Sequence, residues 1–150
     1  MNVSDRISML LQQKGGDIFS VAPQSSVYSA IELMAHKSVG ALLVIDKQRL
    51  LGIISERDYA RKVILKGHSS KDTLVSEIMT VSPITIRSDA SVEEAMRLMT
   101  THRIRHLPVL DASEKLVGVL SIGDVVKWIM TSQDAAIAHM EHYIMGDLTH

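Results

Sequence analysis

Hydrophobic and polar residues follow the same order twice along this chain. Apolar side chains recur at helical spacing from Val27 to Met34 and again from Val92 to Met99. Each of these segments is followed by two short apolar runs separated by a polar turn, a pattern typical of a β-hairpin. The runs are Ala41–Ile45 and Leu50–Ser55 in the first half, and His106–Leu110 and Leu116–Ser121 in the second. The pattern therefore predicts a helix followed by a hairpin, in two copies.

The two copies are also related by residue identity. An offset of 65 residues, which becomes 66 after one extra residue in the turn 111–115, aligns twelve identical pairs between 26–58 and 91–124. They include Gly52 with Gly118 and Asp58 with Asp124. Self-similarity at a nearly fixed offset is the signature of an internal repeat.

Each copy has the pattern of a β-α-β-β-α unit. The elements outside the hairpins are short strands at Phe19–Val21 and Thr85–Arg87, the two helices already named, and helices that open at Asp58 and Asp124. Ser91 and Glu94 have the spacing of a capping box before the second copy's first helix. A single unit would expose the apolar face of its sheet, and a second copy can cover that face. We therefore expect a mixed α/β fold of the α+β kind, with two pseudo-symmetric repeats packed sheet to sheet.

The predicted boundaries leave two segments outside the repeats. Repeat 1 is expected over 18–67 and repeat 2 over 75–131, and the two segments outside them are a leading helix and turn over 1–17 and an amphipathic C-terminal helix over 133–145. The last helix carries an apolar stripe that needs a covering surface. We therefore expect a homodimer.

Composition removes several classes of function. The net charge is −1, which excludes a generally cationic nucleic-acid coat, and five aromatic residues offer few platforms for stacking bases. No cysteine is present, so disulfides and thiolate metal sites are excluded. The longest apolar run is Ala41–Ile45, far shorter than the roughly 20 residues of a membrane span. We expect a soluble, cytoplasmic protein that does not contact a membrane.

A Gly-x-x-Ser-x-x-Asp motif ends the hairpin in both copies. It places Ser55 and Ser121 at strand ends, and Asp58 and Asp124 at the start of the next helix. A carboxylate in that position can accept hydrogen bonds from the cis-diol of a ribose, and the helix N-terminus favours a phosphate nearby. The alternative is that both aspartates are only helix N-caps. Finding the spacing twice favours a ligand-binding role.

Basic residues cluster before the hairpin of the second copy only. The run 102–106 reads His-Arg-Ile-Arg-His, where the first copy has the nearly uncharged run 37–41. On a strand, Arg103 and Arg105 would share one side, where guanidinium groups suit phosphate oxygens. A solvated basic turn is the alternative. His102 and His106 would lie ~13 Å apart on a strand, too far for one metal ion, so we expect no metal site.

More cations follow Ser55. Arg57 and Arg61 could both face a phosphate near Asp58, whereas Lys62 is interpreted as a solvent-facing helix charge.

The paired motifs S-V-x-x-A-x-x-L-M, L-P-V-L-D, L-V-G-V-L-S-I-G-D and L-L-G-I-I-S-E-R-D resemble those of the CBS (cystathionine β-synthase) domain family. The resemblance covers about residues 16–131 and is that of a stand-alone tandem pair. It implies two clefts between the repeats that bind adenine nucleotides, namely AMP, ADP, ATP or NAD, or S-adenosylmethionine in some members.

The resemblance also implies roles for individual residues. Asp58 and Asp124 would each hold a ribose, with Ser55 and Ser121 near the phosphates. The cleft of Asp58 would be walled by Ile84, Ile104 and Arg105, with His106 and Arg57 toward the phosphate. The cleft of Asp124 would be walled by Phe19, Val39, Gly40 and Ala41, and would lack the cations of the first.

The expected function is a non-enzymatic regulatory module that senses adenine nucleotides without a metal cofactor and acts on an unidentified downstream protein. One alternative is a nucleotide-dependent phosphohydrolase, although no catalytic triad spacing supports it. A nucleic-acid binder using Arg57, Arg61, Arg103 and Arg105 is the other alternative, disfavoured by the neutral net charge.

Overall fold

The computed structural model describes residues 2–131 and 140. The predicted helix over 133–145 lies outside the described residues apart from Met140, which is exposed. The chain divides into two compact units. We call them the first-repeat unit, Asp17–Thr85, and the second-repeat unit, Met1–Gly16 together with Ile86–His150.

The first-repeat unit contains a four-stranded sheet. Its elements are β1 (Ser20–Val21), α2 (Val27–Lys37), β2 (Ala41–Asp46), β3 (Arg49–Ser55), α3 (Glu56–Tyr59) continued by a π-helical segment (Ala60–Ile64), α4 (Val75–Ile78) and β4 (Thr80–Val81). The strand order is β1-β2-β3-β4, with β1 parallel to β2 and the other pairs antiparallel. Val27, Met34, Val44 and Ile54 are fully or almost fully buried and lie at the centre of its core.

The second-repeat unit contains a three-stranded sheet. Its elements are α1 (Ile7–Lys14), β5 (Ile86–Arg87), α5 (Val92–His102), β6 (His106–Leu110), β7 (Leu116–Ser121) and a helix over 122–131, called α6 here. The strand order is β5-β6-β7, with β5 parallel to β6 and β7 antiparallel to it. Both hairpins contain a register shift at the same repeat position, after Val44 and after Val109. Two sheets with helices confirm the predicted mixed α+β fold class.

The segment before each repeat packs with the other repeat. The Ile7 and Ser8 amides donate to the carbonyls of Ala90 and Ser88, both over 2.9 Å. In the first-repeat unit, the amides of Val75 and Ser76 donate to Ser25 and Pro23 over 2.8 and 2.9 Å, which are the repeat-equivalent carbonyls. Residues 1–16 therefore occupy the same position on the second repeat that residues 70–85 occupy on the first. The sequence repeat and the compact unit are different divisions of this chain.

Several local expectations need correction. Ser91 Oγ accepts from the Glu94 amide over 3.1 Å, but the Glu94 carboxylate lies 3.7 Å from Arg97 instead of completing a capping box. The run 102–105 is not a strand, because His102 ends α5 and Arg103 caps it in a left-handed conformation with φ 55°. Strand alternation therefore does not place Arg103 and Arg105 on one side. No helix in the part of the chain that the structure describes is long and apolar enough to cross a membrane.

Candidate functional site

The first candidate site is the corner where β3 turns into α3. Ser55 is the N-cap, and its Oγ accepts from the Asp58 amide over 3.2 Å. The Asp58 carboxylate accepts in return from the Ser55 amide over 3.0 Å and from the Ser55 hydroxyl over 3.1 Å. The helix therefore begins two residues before the predicted position, and Asp58 completes a capping box instead of being the N-cap itself.

The second corner, where β7 turns into α6, has the same construction. The Asp124 amide donates to Ser121 Oγ over 3.1 Å, and the Ser121 amide donates to Asp124 Oδ2 over 2.8 Å. The side chains of Asp58 and Asp124 are 13% and 21% exposed. Each corner therefore presents a carboxylate that is fixed in orientation yet reachable from solvent, a geometry that can accept ligand hydroxyl groups.

A lysine binds the aspartate at each corner, and sequence reasoning missed both. Lys62 Nζ lies 3.1 Å from Asp58 Oδ1 and donates to the Ile78 carbonyl over 2.9 Å. Lys14 Nζ lies 2.6 Å from Asp124 Oδ2 and donates to the Val119 carbonyl, also over 2.6 Å. The i,i+4 spacing of Asp58 and Lys62 was a usable signal. Nothing in the sequence connects Lys14 with Asp124, since 110 residues separate them.

Lys14 gives the second corner a cation that the sequence did not predict, where the cleft of Asp124 was expected to lack the basic residues of the first. Burial alone would raise the pKa of Asp124, but the hydrogen bond and charge of Lys14 and the hydrogen bonds from Ser121 outweigh it. The pKa of Asp124 is therefore held below its usual value. Lys14 and Lys127 line a cavity of about 210 Å³ beside Asp124 and Trp128.

His106 belongs to this second corner, since it pairs with Ser121 across the β6–β7 ladder. Burial lowers the pKa of His106, the charges of Lys14 and Arg105 lower it further, and the charge of Asp124 opposes them. The equivalent position in the first-repeat unit is Ala41, which pairs with Ser55. The two corners therefore share a backbone plan and differ in their ionisable neighbours.

The remaining predicted site residues lie near the corner of their own unit or on its surface. The Gly40 carbonyl accepts from the Glu56 amide over 3.1 Å, and the Arg105 carbonyl accepts from the Ile122 amide over 2.8 Å. The Arg105 side chain is exposed and lines a groove of about 630 Å³ along α6. Those that are partly buried are Phe19, Val39, Ala41, Ile84 and Ile104, while Arg57 is exposed. The Lys37 ammonium lies 5.3 Å from the centre of the Phe19 ring.

Among residues 2–131 and 140, no three histidine, aspartate or glutamate side chains are grouped so that they could hold a metal ion.

Known proteins resemble this chain along most of its length. It is 40% identical over 152 residues to the CBS domain-containing protein CBSX3, mitochondrial, of Arabidopsis thaliana, a match that covers 95% of this chain and 73% of the relative. A solved structure from Burkholderia ambifaria MC40-6, described as a putative signal-transduction protein with CBS domains, is 48% identical with a TM-score of 0.82. That match covers 86% of this chain and 96% of the other.

A third match is a structure of CBSX2 in complex with AMP. It is 35% identical, with a TM-score of 0.64, and the match covers 78% of this chain and 90% of the other. The CBS domain model itself matches residues 15–65 and 75–131. Two adjacent matches agree with the internal repeat and with the paired Ser-x-x-Asp corners, and this chain therefore belongs to the CBS domain family as a tandem pair.

Proposed function

We propose that this chain is a non-enzymatic regulatory module whose two Ser-x-x-Asp corners each bind the ribose of an adenine nucleotide. The observation that carries the proposal is the repetition of one carboxylate geometry. Asp58 and Asp124 are both oriented by hydrogen bonds to a serine at a strand end, and both remain partly exposed. The capping box uses Oδ2 of each aspartate, so the cap alone leaves the other carboxylate oxygen available to a ligand.

The ligand class follows from the chemistry of the corners together with the relatives. Carboxylate oxygens accept from the two hydroxyls of a cis-diol, and exposed guanidinium groups such as those of Arg57 and Arg105 suit phosphate oxygens. CBSX2 has a structure in complex with AMP. We therefore propose AMP, ADP, ATP or NAD as the ligand, with no metal required.

Further residues of each unit belong to the proposed ligand-binding surfaces. In the first-repeat unit they are Phe19, Val39, Gly40, Ala41, Ser55, Arg57 and Ile84, and in the second-repeat unit Ile104, Arg105, His106 and Ser121. The apolar members would contact the adenine ring and the basic members the phosphate.

Calorimetric titration of the full chain with AMP, ATP and NAD tests the proposal. We expect Asp58→Ala and Asp124→Ala each to weaken binding at their own corner by about 1–3 kcal/mol, the cost of leaving ligand hydroxyls unpaired. Asp72→Ala, which removes an exposed carboxylate elsewhere in the first-repeat unit, is the matched control and should leave the affinity unchanged. Full affinity in both corner variants would contradict the proposal.

Thermal unfolding offers a second readout. A ligand that binds only the folded protein adds about 2.7 kcal/mol of stability at one hundred times its dissociation constant. For a chain of this size, that corresponds to roughly 5–11 °C in Tm. The 2′,3′-dideoxy form of AMP lacks the proposed hydroxyl donors and should give a much smaller shift. No shift with any adenine nucleotide at millimolar concentration would overturn the proposal.

We also propose a homodimer. Large apolar side chains are exposed on the helical segments that follow the corners, including Ile64 and Leu65 in the first-repeat unit and Val126 and Met130 in the second. Light scattering should give the mass of two chains, and a mass of one chain would contradict the expectation. The predicted cytoplasmic location stays a prediction, since the Arabidopsis relative CBSX3 carries a mitochondrial name.

A further inference from the structure

The two lysines at the corners hold their aspartates in different ways. Lys62 lies four residues after Asp58 on the same continuous helical segment, so this pair is local, although its ammonium also donates to the Ile78 carbonyl of α4. Lys14 is the last residue of α1 and reaches Asp124 from a separate part of the chain. Separation of the second pair therefore changes how α1 is attached.

One ammonium group attaches the end of α1 at two points. Lys14 Nζ donates both to the Asp124 carboxylate and to the Val119 carbonyl of β7, each over 2.6 Å. The side chain is 34% exposed, so solvent or a ligand can reach the pair. Lys14 is also the last side chain before Gly15 and Gly16, after which the chain enters the first-repeat unit at Asp17.

A diol bound at Asp124 would compete with Lys14 for the same carboxylate. Asp124 Oδ2 accepts from both Lys14 Nζ and the Ser121 amide, which occupies both of its lone pairs. A cis-diol whose two hydroxyls donate to the two carboxylate oxygens must therefore displace one of these donors from Oδ2. The Ser121 amide is fixed by the cap, whereas Lys14 has a flexible stem. An ion pair this exposed contributes only about 0.2–1 kcal/mol. Lys14 is therefore the partner that a ligand can displace.

We propose that Lys14 is a ligand-responsive latch: a ribose diol at Asp124 displaces its ammonium group and detaches the C-terminal end of α1 from β7. The inference rests on the proposed ribose-binding role of Asp124. It goes beyond that role by naming the element that changes when the corner is occupied.

Amide hydrogen exchange of residues 12–16, with and without saturating AMP, tests the latch on the full chain. The Gly15 amide is a direct reporter, since it donates to the Leu11 carbonyl at the end of α1 over 2.9 Å. We expect AMP to accelerate exchange there by about two- to fivefold, which corresponds to the loss of one exposed ion pair.

Variants of Lys14 sharpen the test. Lys14→Met keeps most of the length of the side chain without its charge, so exchange should be fast without AMP, and AMP should bind about two- to fivefold more tightly. Lys14→Arg should behave as the wild type does. Lys115→Met removes an exposed lysine elsewhere in the second-repeat unit and should change neither quantity. If Lys14→Met does not fold, the exchange measurement on the wild type decides alone.

The outcomes separate the latch from the proposed function. AMP that binds with Asp124-dependent affinity but leaves exchange at 12–16 unchanged, or slows it, overturns the latch and leaves the proposed function standing. AMP binding that depends on Asp58 and not on Asp124 also overturns the latch. Weaker AMP binding in Lys14→Met also overturns the latch, because Lys14 would then help to hold the ligand. Absence of binding of AMP, ADP, ATP and NAD alike overturns both proposals.

Discussion

The outer edges of the two sheets differ although the same repeat builds both. In the first-repeat unit, β3 pairs on its outer side with β4, through Gly52 with Val81 and Ile53 with Thr80. Within the described part of the second-repeat unit, no strand joins β7 at the corresponding edge. There the Lys14 ammonium binds the carbonyl of Val119, the repeat equivalent of Ile53.

The preceding segments explain this difference. Residues 7–14 and 75–82 make matching backbone hydrogen bonds to their units, so they are equivalent in position. After the shared first turn, one continues with Gln12 and Gln13, which favour a helix, and the other with Thr80 and Val81, which favour a strand. Consequently α1 has eight residues and ends in a lysine, whereas α4 has four and leads into a strand. After the shared first turn, β4 pairs with β3 in the first-repeat unit, whereas Lys14 binds the β7 carbonyl of Val119 in the second.

The residue four positions after each aspartate also has a different role in the two units. In the first-repeat unit it is Lys62, which supplies the corner's cation. In the second-repeat unit it is Trp128, which is 6% exposed and donates from Nε1 to the Asn2 carbonyl over 3.2 Å. Trp128 thereby holds the N-terminal segment that delivers Lys14. The second corner therefore receives its cation from Lys14, and not from the position four residues after the aspartate.

The largest expected effect comes from this pair of positions. Trp128→Ala should destabilise the protein by about 3–5 kcal/mol, because it opens a large cavity where the N-terminal segment packs. Lys62→Ala should cost no more than about 1 kcal/mol, as expected for an exposed ion pair. Urea unfolding followed by circular dichroism measures both. Similar losses of unfolding free energy for the two variants would show that the two positions do not differ in role.

A smaller difference is expected for Gly52 of β3 and Gly118 of β7, which occupy equivalent positions in the two repeats. A Cβ added at Gly52 would lie 2.5 Å from the Thr80 carbonyl oxygen, so the backbone of β4 would have to move. A Cβ added at Gly118 would lie 3.1 Å from the terminal methyls of Leu11, which can shift. We expect Gly52→Ala to cost about 1–3 kcal/mol and Gly118→Ala less than about 1 kcal/mol. Equal urea midpoints for the two variants would contradict the comparison.

Much of the fold was predictable because the repeat carries a strong local pattern. The strands His106–Leu110 and Leu116–Ser121 have the predicted bounds, and helices begin at Val27 and Val92, where the helical spacing predicts them. Hydrophobic alternation and helix capping depend on residues only a few positions apart, so both can be identified from the sequence alone. The predicted ligand contacts stay predictions.

The missed features depend on contacts between distant residues. Strand β4 has only two residues and exists because β3 offers an edge, so no local pattern identifies it. Lys14 meets Asp124 only because residues 1–16 pack on the second repeat. A polar helix end followed by two glycines gave no reason to expect a cation at a corner more than one hundred residues away.

The smallest expected effect concerns His106, whose repeat equivalent is Ala41. Burial, with Lys14 and Arg105, holds the pKa of His106 below its ordinary value of 6.5, against the opposing charge of Asp124. The unfolded chain therefore binds a proton more tightly there than the folded protein does. Between the lowered pKa and 6.5, the free energy of unfolding should fall as the pH falls, by at most about 1.4 kcal/mol per pH unit.

His106→Ala gives the second corner the side chain of the first and should remove this contribution, while any cavity it leaves lowers stability equally at every pH. Urea unfolding of both proteins at several pH values from 7.5 down to 5 measures the difference, with the two stability curves converging as the pH falls. Curves that remain parallel would show that the half-buried imidazole does not distinguish the two corners.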